Sequence, residues 1–98
     1  MTAAWARSEI DRFLAAVHQQ RGLQAVAEAN RSALLRRVYL DLIGLPPTRS
    51  QLHAFLRDES PAAYERVVDA LLASPLYGQR WARHWMDVWR YSDWYGRR

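Results

Sequence analysis

The 98-residue sequence contains no cysteine and no lysine, and each absence excludes a class of chemistry. Without cysteine the chain cannot form a disulfide, supply a thiolate to a metal, use a cysteine nucleophile or attach a c-type haem covalently. With no lysine and only four scattered glycines, it also lacks the phosphate-binding loops of nucleotide-binding proteins, and neither HExxH nor GxSxG occurs. The chain therefore contains no self-contained catalytic motif.

Long apolar runs are also missing. The first 15 residues contain four charged side chains, Arg7, Glu9, Asp11 and Arg12, which interrupt the apolar stretch that an export signal or a membrane span requires. We therefore predict no membrane span, and a free-standing copy of this chain would stay in the cytoplasm. No second histidine or carboxylate pair stands at ligand spacing, so no metal site and no bound cofactor is predicted in this chain.

Positive charge is concentrated at the C-terminal end. The net charge is +4, and residues 77 to 98 contain five arginines against two acids, whereas residues 1 to 76 contain nine against eight. Aromatic side chains alternate with these C-terminal arginines, a combination that can bind single-stranded nucleic acid. Nucleic-acid binding is therefore one hypothesis for this segment.

Helix-capping residues predict the first three elements. Ser8 and Asp11 have the spacing of a capping box at the start of helix one. Asn30 can cap a second helix, which Gly44 ends. Thr48 repeats the capping-box spacing and begins a short third helix that closes near residue 57.

The second half of the chain continues the helical pattern. Asp58, Glu59 and Ser60 before Pro61 are read as the acid-rich cap and the first-turn proline of a fourth helix. Ser74 begins a fifth element in which Gly78 relieves a turn, followed by an amphipathic helix to about Ser92. No segment alternates with period two. The sequence thus predicts one all-α domain over residues 1 to 98, a bundle of about five short helices whose last helix is rich in Trp and Arg.

Tryptophan side chains follow one face of the last helix. Trp81, Trp85 and Trp89 are spaced by four residues and so form a stripe. We predict that Trp81 and Trp85 belong to the core, because tryptophan contributes so much buried area. Trp89, Trp94 and Tyr95 exceed what the short apolar faces of the other helices can cover, which indicates an interface or ligand site.

A polar strip on the same helix is the predicted site. The catalytic candidates are His84, Asp87 and Asp93, and the other ligand or interface candidates are Arg80, Arg83, Trp89, Arg90, Tyr91, Trp94 and Tyr95. Arg83, Asp87 and Arg90 have the spacing of a surface ion-pair ladder. His84 has two interpretations: an acid–base group or axial ligand, or a structural histidine that bonds Asp87 and packs against Trp81. The structural interpretation is favoured.

Three sequence stretches resemble a known family. These are IDRFLAAV at residues 10 to 17, LRRVYLDLIGLPPT at 35 to 48 and YERVVDALLASPLYGQRWARHWMDVWRYSD at 64 to 93. Together they resemble the domain of unknown function that follows the haem c module in large planctomycete-type cytochrome-associated proteins. The resemblance implies an exported, multi-domain protein with haem c on a neighbouring domain, and it implies that this chain is the first half of a longer family domain.

The leading functional hypothesis is a non-catalytic or catalytically incomplete helical module. It would pack against the remainder of the parent polypeptide or against adjacent domains through its Trp and Arg surface. The alternative is the half-site of an extracellular enzyme or carbohydrate-binding protein, with Trp89 and Trp94 stacking on sugar rings. Nucleic-acid binding is the least favoured hypothesis, since exported proteins seldom meet nucleic acid.

Overall fold

The computed structural model describes residues 4 to 91, which form five α-helices and no β-strand. The helices are α1 (Glu9–Gln20), α2 (Arg31–Ile43), α3 (Arg49–Arg57), α4 (Ala63–Leu72) and α5 (Pro75–Val88). Helix α2 packs against α3, α4 and α5, and α4 also packs against α5. The predicted all-α bundle is confirmed.

The predicted caps of the first three helices are confirmed. Ser8 with Asp11 and Thr48 with Gln51 form capping boxes, in which each side chain satisfies a backbone N–H of the other residue. The side chain of Asn30 accepts the N–H of Ala33. Gly44 ends α2 in the left-handed conformation, with φ 73°.

Helix α4 begins two residues later than predicted, at Ala63 rather than Pro61. The acids before it have another role, because the carboxylate of Asp58 accepts the backbone N–H of Ser60 at 3.1 Å and pairs with Arg66. The carbonyl of Ser60 then accepts the N–H of Ala63 at 3.1 Å, which closes a turn. This backbone turn, with the Asp58 contacts before it, occupies the residues where the helix was predicted to begin.

Both ends of α5 also differ from the prediction. The helix begins at Pro75, capped by Ser74, so Gly78 lies inside it and relieves no turn. It ends at Val88, before the predicted Ser92, because Arg90 adopts a left-handed conformation with φ 53°. The N–H of Tyr91 donates to the carbonyl of Met86 at 2.8 Å, and that of Arg90 to Asp87 at 3.2 Å, which is a Schellman motif.

A long-range contact of Arg31 holds the end of α3. Its guanidinium donates to the carbonyl oxygens of Phe55 at 2.8 Å and Asp58 at 2.6 Å. The same group lies 4.4 Å from the centroid of the Phe55 ring. A cation at the C-terminal end of a helix satisfies its free carbonyls and complements its dipole. Arg31 therefore fixes α3 against α2.

The core is small and centred on α2. Its buried side chains are Leu35, Val38, Tyr39, Phe55, Ala63 and Leu71. Leu35 is only 1% exposed, so its truncation to alanine is expected to cost about 2–5 kcal/mol of stability. The prediction that Trp81 and Trp85 belong to this core is wrong, because both are exposed. Helical spacing assigned them to one face correctly, but no other described element covers that face.

Helix α1 contains no buried residue. Its apolar side chains Ile10, Phe13, Leu14 and Val17 are all exposed, and Phe13 is 74% exposed. A Schellman motif ends the helix at Gly22, whose φ is 65°. The chain therefore presents a second apolar helix face in addition to the tryptophan stripe.

Candidate functional site

Four aromatic side chains spaced by four residues form what we call the aromatic face of α5: Tyr77, Trp81, Trp85 and Trp89. The ring centroids of Tyr77 and Trp81 are 5.7 Å apart, as are those of Trp85 and Trp89, and both pairs are tilted. Trp85 is 57% exposed and Trp89 70% exposed. The rings thus contact one another in pairs while much of their apolar area remains in water. Sequence reasoning missed Tyr77, although the same spacing extends back to it.

His84 packs beside this face. Its ring centroid lies 4.8 Å from that of Trp81, with the planes tilted by 55°. The predicted packing of His84 against Trp81 is therefore present. The predicted hydrogen bond to Asp87 is not found within residues 4 to 91. The Asp87 carboxylate instead forms an ion pair with Arg83, whose Nε lies 3.2 Å from Oδ1. This arrangement does not form a histidine–carboxylate pair.

The ion-pair ladder is reduced to one pair. Arg83 and Asp87 are both more than half exposed, with side-chain exposures of 75% and 60%, so their pair contributes only a few tenths of a kcal/mol. Arg90, the predicted third member, follows the end of the helix in the left-handed conformation. The prediction failed because α5 ends before Arg90 can occupy a helical position above Asp87.

Arg80 makes a contact that the sequence did not predict. Its side chain lies across Gly44 at the C-terminal end of α2: a methyl group on Gly44 would be 2.8 Å from Cδ and 3.2 Å from Nε of Arg80. A guanidinium there complements the negative end of the α2 dipole. Arg80 therefore has a role in folding, which removes the main reason for placing it in a binding strip.

The remaining site candidates are not brought together by the described structure. Tyr91 is exposed, and its backbone N–H belongs to the Schellman motif that ends α5. Asp93, Trp94 and Tyr95 lie outside the described residues. Within residues 4 to 91, no three His, Asp or Glu side chains are placed to share a metal ion, and none of the helices has the length and apolar character needed to cross a membrane.

A groove with a volume of about 470 Å³ lies against the core. Five of the buried side chains line it: Leu35, Tyr39, Phe55, Ala63 and Leu71. Burial raises the pKa of the Tyr39 hydroxyl above its ordinary value. Apolar floors of this size accept an apolar ligand or a protruding side chain of a partner. With the aromatic face and the apolar face of α1, the groove is a third surface on which a partner can pack.

The fold and these surfaces define an all-α domain with an exposed aromatic helix face and a groove beside its core. The chain belongs to the PSCyt2 family, described as a protein of unknown function (DUF1549), whose profile matches residues 9–98. Comparisons with curated proteins and with solved structures found no match. The family membership agrees with the predicted domain of unknown function.

Proposed function

We propose that this chain is a non-catalytic helical module that docks other protein domains of a multi-domain, haem c-associated protein through the aromatic face of α5. The observation that carries the proposal is the exposure of Trp85 and Trp89 next to each other at the end of α5. Tryptophan is the residue type most enriched among the energetically dominant residues of protein interfaces. An aromatic pair with this exposure is an anchor for a partner surface.

A groove beside the core supports the same role. Its lining includes the buried side chains of Leu35 and Phe55 together with Leu76, which is 39% exposed. Burial of apolar area contributes about 25 cal/mol per Å². A neighbouring domain that covers both the groove and the aromatic face would therefore stabilise this chain as well as bind it.

Within this proposal, the haem belongs to a neighbouring domain, since a chain without cysteine has no covalent attachment point for a c-type haem. The parent protein is exported, and this chain is the first half of a longer helical domain. Both statements rest on the family resemblance. The exposed aromatic face and the groove support the proposal that more of the helical domain packs against this chain.

The enzyme alternative is less well supported by the geometry. A half-site would require His84 with Asp87 or Asp93, but the His84 ring packs on Trp81 and Asp87 is engaged with Arg83. The Trp85–Trp89 pair favours a carbohydrate-binding variant of this alternative, since exposed rings can stack on sugars. The test is to add soluble polysaccharides to the protein and to measure its tryptophan fluorescence. Quenching that saturates, and that is lost in Trp89→Ala, would favour carbohydrate binding over protein docking.

Nucleic-acid binding is tested by a salt series. A protein that contacts phosphates loses affinity steeply as salt rises. Binding of single-stranded DNA that weakens in this way, and that is lost in Trp85→Ala, would replace docking as the function of the aromatic face. We expect no such binding.

Hydrogen exchange tests the docking proposal directly. The exchange of α5 amides is compared between the 98-residue chain and the full-length protein that contains it. We expect exchange at least tenfold slower in the full-length protein, because a docked partner restricts local opening. The variant Trp85→Asp should remove this protection.

The matched control is Val26→Asp, which introduces the same charge at a loop residue that is 92% exposed. It should leave the protection of α5 intact. Equal exchange of α5 in the short and full-length proteins would refute the proposal.

A further inference from the structure

The groove beside the core is lined by side chains of α2, α3, α4 and the start of α5. Its apolar lining includes Leu35, Phe55 and Leu71 of the core. Leu76 of α5 also lines it and precedes Tyr77 of the aromatic face in the sequence. Its volume of about 470 Å³ lies in the range of sites that take an apolar group. One partner can therefore cover the groove and the aromatic face together.

Two polar side chains at the groove already use their oxygens within the chain. The carboxamide oxygen of Gln51 accepts the N–H of Thr48 at 2.8 Å, and the hydroxyl oxygen of Ser74 accepts the N–H of Leu76 at 3.2 Å. Both bonds belong to helix N-terminal caps. What the two lining side chains still offer a partner is mainly a donor, the NH₂ group of one and the hydroxyl proton of the other.

The charged pair at the groove also leaves donors. Both carboxylate oxygens of Asp58 are engaged, one with the N–H of Ser60 and the other with Arg66. Arg66 donates to the hydroxyl of Ser60 as well, at 2.6 Å, and both of its bonds start from Nη2. A guanidinium has five N–H groups, and Nη2 carries only two of them. The N–H groups on Nε and Nη1 are therefore donors that a partner can use.

Tyr39 adds a neutral donor. The residue is 8% exposed and lines the groove. Burial raises the pKa of its hydroxyl, so the group keeps its proton at neutral pH and can donate it. The polar lining thus offers donors from four side chains around an apolar centre, whereas its acceptors are largely used inside the chain.

We propose that the neighbouring domain fills this groove with an apolar side chain flanked by acidic residues. The inference rests on the docking role proposed above and specifies the chemistry of the segment that docks. Carboxylates supply the acceptors that the groove lacks and form charge-assisted hydrogen bonds with Arg66. A basic segment would instead bring donors against donors, and buried donors without acceptors weaken binding.

Cysteine labelling measures whether the groove is filled, because the chain has no cysteine of its own. Ala70→Cys places a thiol at an exposed residue of α4 that lines the groove. Its rate of reaction with iodoacetamide is compared between the 98-residue chain and the full-length protein, and the labelled peptide is identified by mass spectrometry. We expect labelling at least tenfold slower in the full-length protein. The control Val26→Cys, at a loop residue that is 92% exposed, should react equally fast in both.

Opposite charges at one residue test the chemistry of the docked segment. Ala54 is an exposed residue of α3 that lines the groove, and Ala54→Glu and Ala54→Lys are each combined with Ala70→Cys. The ratio of labelling rates in the two proteins is taken within each variant, because a nearby charge alters thiol reactivity. Ala54→Glu should abolish the protection by repelling carboxylates, whereas Ala54→Lys should keep it at tenfold or more. Far-UV circular dichroism verifies that each variant keeps its helices.

The inference is overturned if the thiol at residue 70 labels equally fast in the two proteins. It is also overturned by any pattern of the charge variants other than loss of protection in Ala54→Glu alone. Loss in Ala54→Lys alone would indicate a basic docked segment.

Failure of this inference can be distinguished from failure of the docking role, which the exchange of α5 amides tests. Protected α5 amides together with an unprotected thiol at residue 70 overturn this inference and leave docking through the aromatic face. If the α5 amides exchange equally fast in the short and full-length proteins, the docking role is wrong, and this inference, which rests on it, is wrong as well.

Discussion

Arg80 lies across Gly44, and this contact joins two of the three stretches of sequence that carry the family resemblance. Gly44 is the left-handed C-cap of α2, and the Arg80 side chain of α5 occupies the space that a β-carbon at residue 44 would need. The glycine therefore matters twice, once for its backbone conformation and once because a β-carbon there would displace the Arg80 side chain.

Gly44→Ala is expected to destabilise the protein. The left-handed conformation alone disfavours a residue with a side chain by about 1–2 kcal/mol. The added methyl group would also displace Arg80, which lies 2.8 Å from its position. The loss is measured as a lower urea midpoint by far-UV circular dichroism. An unchanged midpoint would contradict both roles of Gly44.

The matched control is Gly78→Ala within α5. A methyl group at residue 78 meets nothing within 4 Å, and alanine is favoured over glycine inside a helix by about 0.5–1 kcal/mol. The same chemical change should therefore raise the urea midpoint. If both alanine variants shifted stability in the same direction, the assignment of Gly78 to a helix interior would be wrong.

Arg90→Gly is expected to stabilise the protein. Arg90 occupies the left-handed residue of a Schellman motif, where glycine relieves about 1 kcal/mol of strain. Arg83→Gly removes the same charge but places glycine inside α5, which should destabilise by about 1 kcal/mol. Thermal unfolding of the two variants should shift in opposite directions from wild type.

Arg31→Gln is expected to destabilise the protein by about 1–3 kcal/mol, the range for hydrogen bonds that involve a charged group. It removes the bonds to the carbonyls of Phe55 and Asp58. Arg37→Gln, at an exposed residue of the same helix, is the control and should change stability by less than about 0.5 kcal/mol. Equal effects of the two substitutions in urea unfolding would exclude a special role for Arg31.

Asp58 should make stability depend on pH in the acid range. The Ser60 side chain, the Arg66 guanidinium and the Ser60 N–H hold the pKa of Asp58 at about 2, below its ordinary value of 3.8. Because the folded-state pKa is lowered, the contribution to stability is complete above the ordinary value and is lost as pH falls toward 2. In Asp58→Asn, the free energy of unfolding should therefore fall less than in wild type as the pH is lowered from about 4 to about 2. Parallel curves for variant and wild type would contradict this assignment.

The features that the sequence predicted are local. Ser8, Asn30 and Thr48 each cap a helix through side-chain bonds to residues three positions away, so their spacing was sufficient. Gly44 ends α2 for the same local reason. The helical spacing of the tryptophans also placed them correctly on one face of α5.

The features that it did not predict depend on distant contacts or on strain. Arg31 reaches the end of α3, more than 20 residues away, and no pattern in its neighbourhood marks that bond. Arg90 takes a conformation that sequence rules reserve for glycine or asparagine. Periodicity identified the tryptophan face but could not say whether another helix covers it, so the burial of Trp81 and Trp85 was predicted wrongly.

The central place of α2 has a consequence for synthesis of the chain. Leu71 belongs to the same core cluster as Leu35 and is synthesised 36 residues after it. At about 5–20 residues per second, the ribosome needs roughly 2 to 7 s to make that segment. During this interval only α3 is present to cover the apolar side of α2, so nascent α2 stays incompletely packed until α4 has been made.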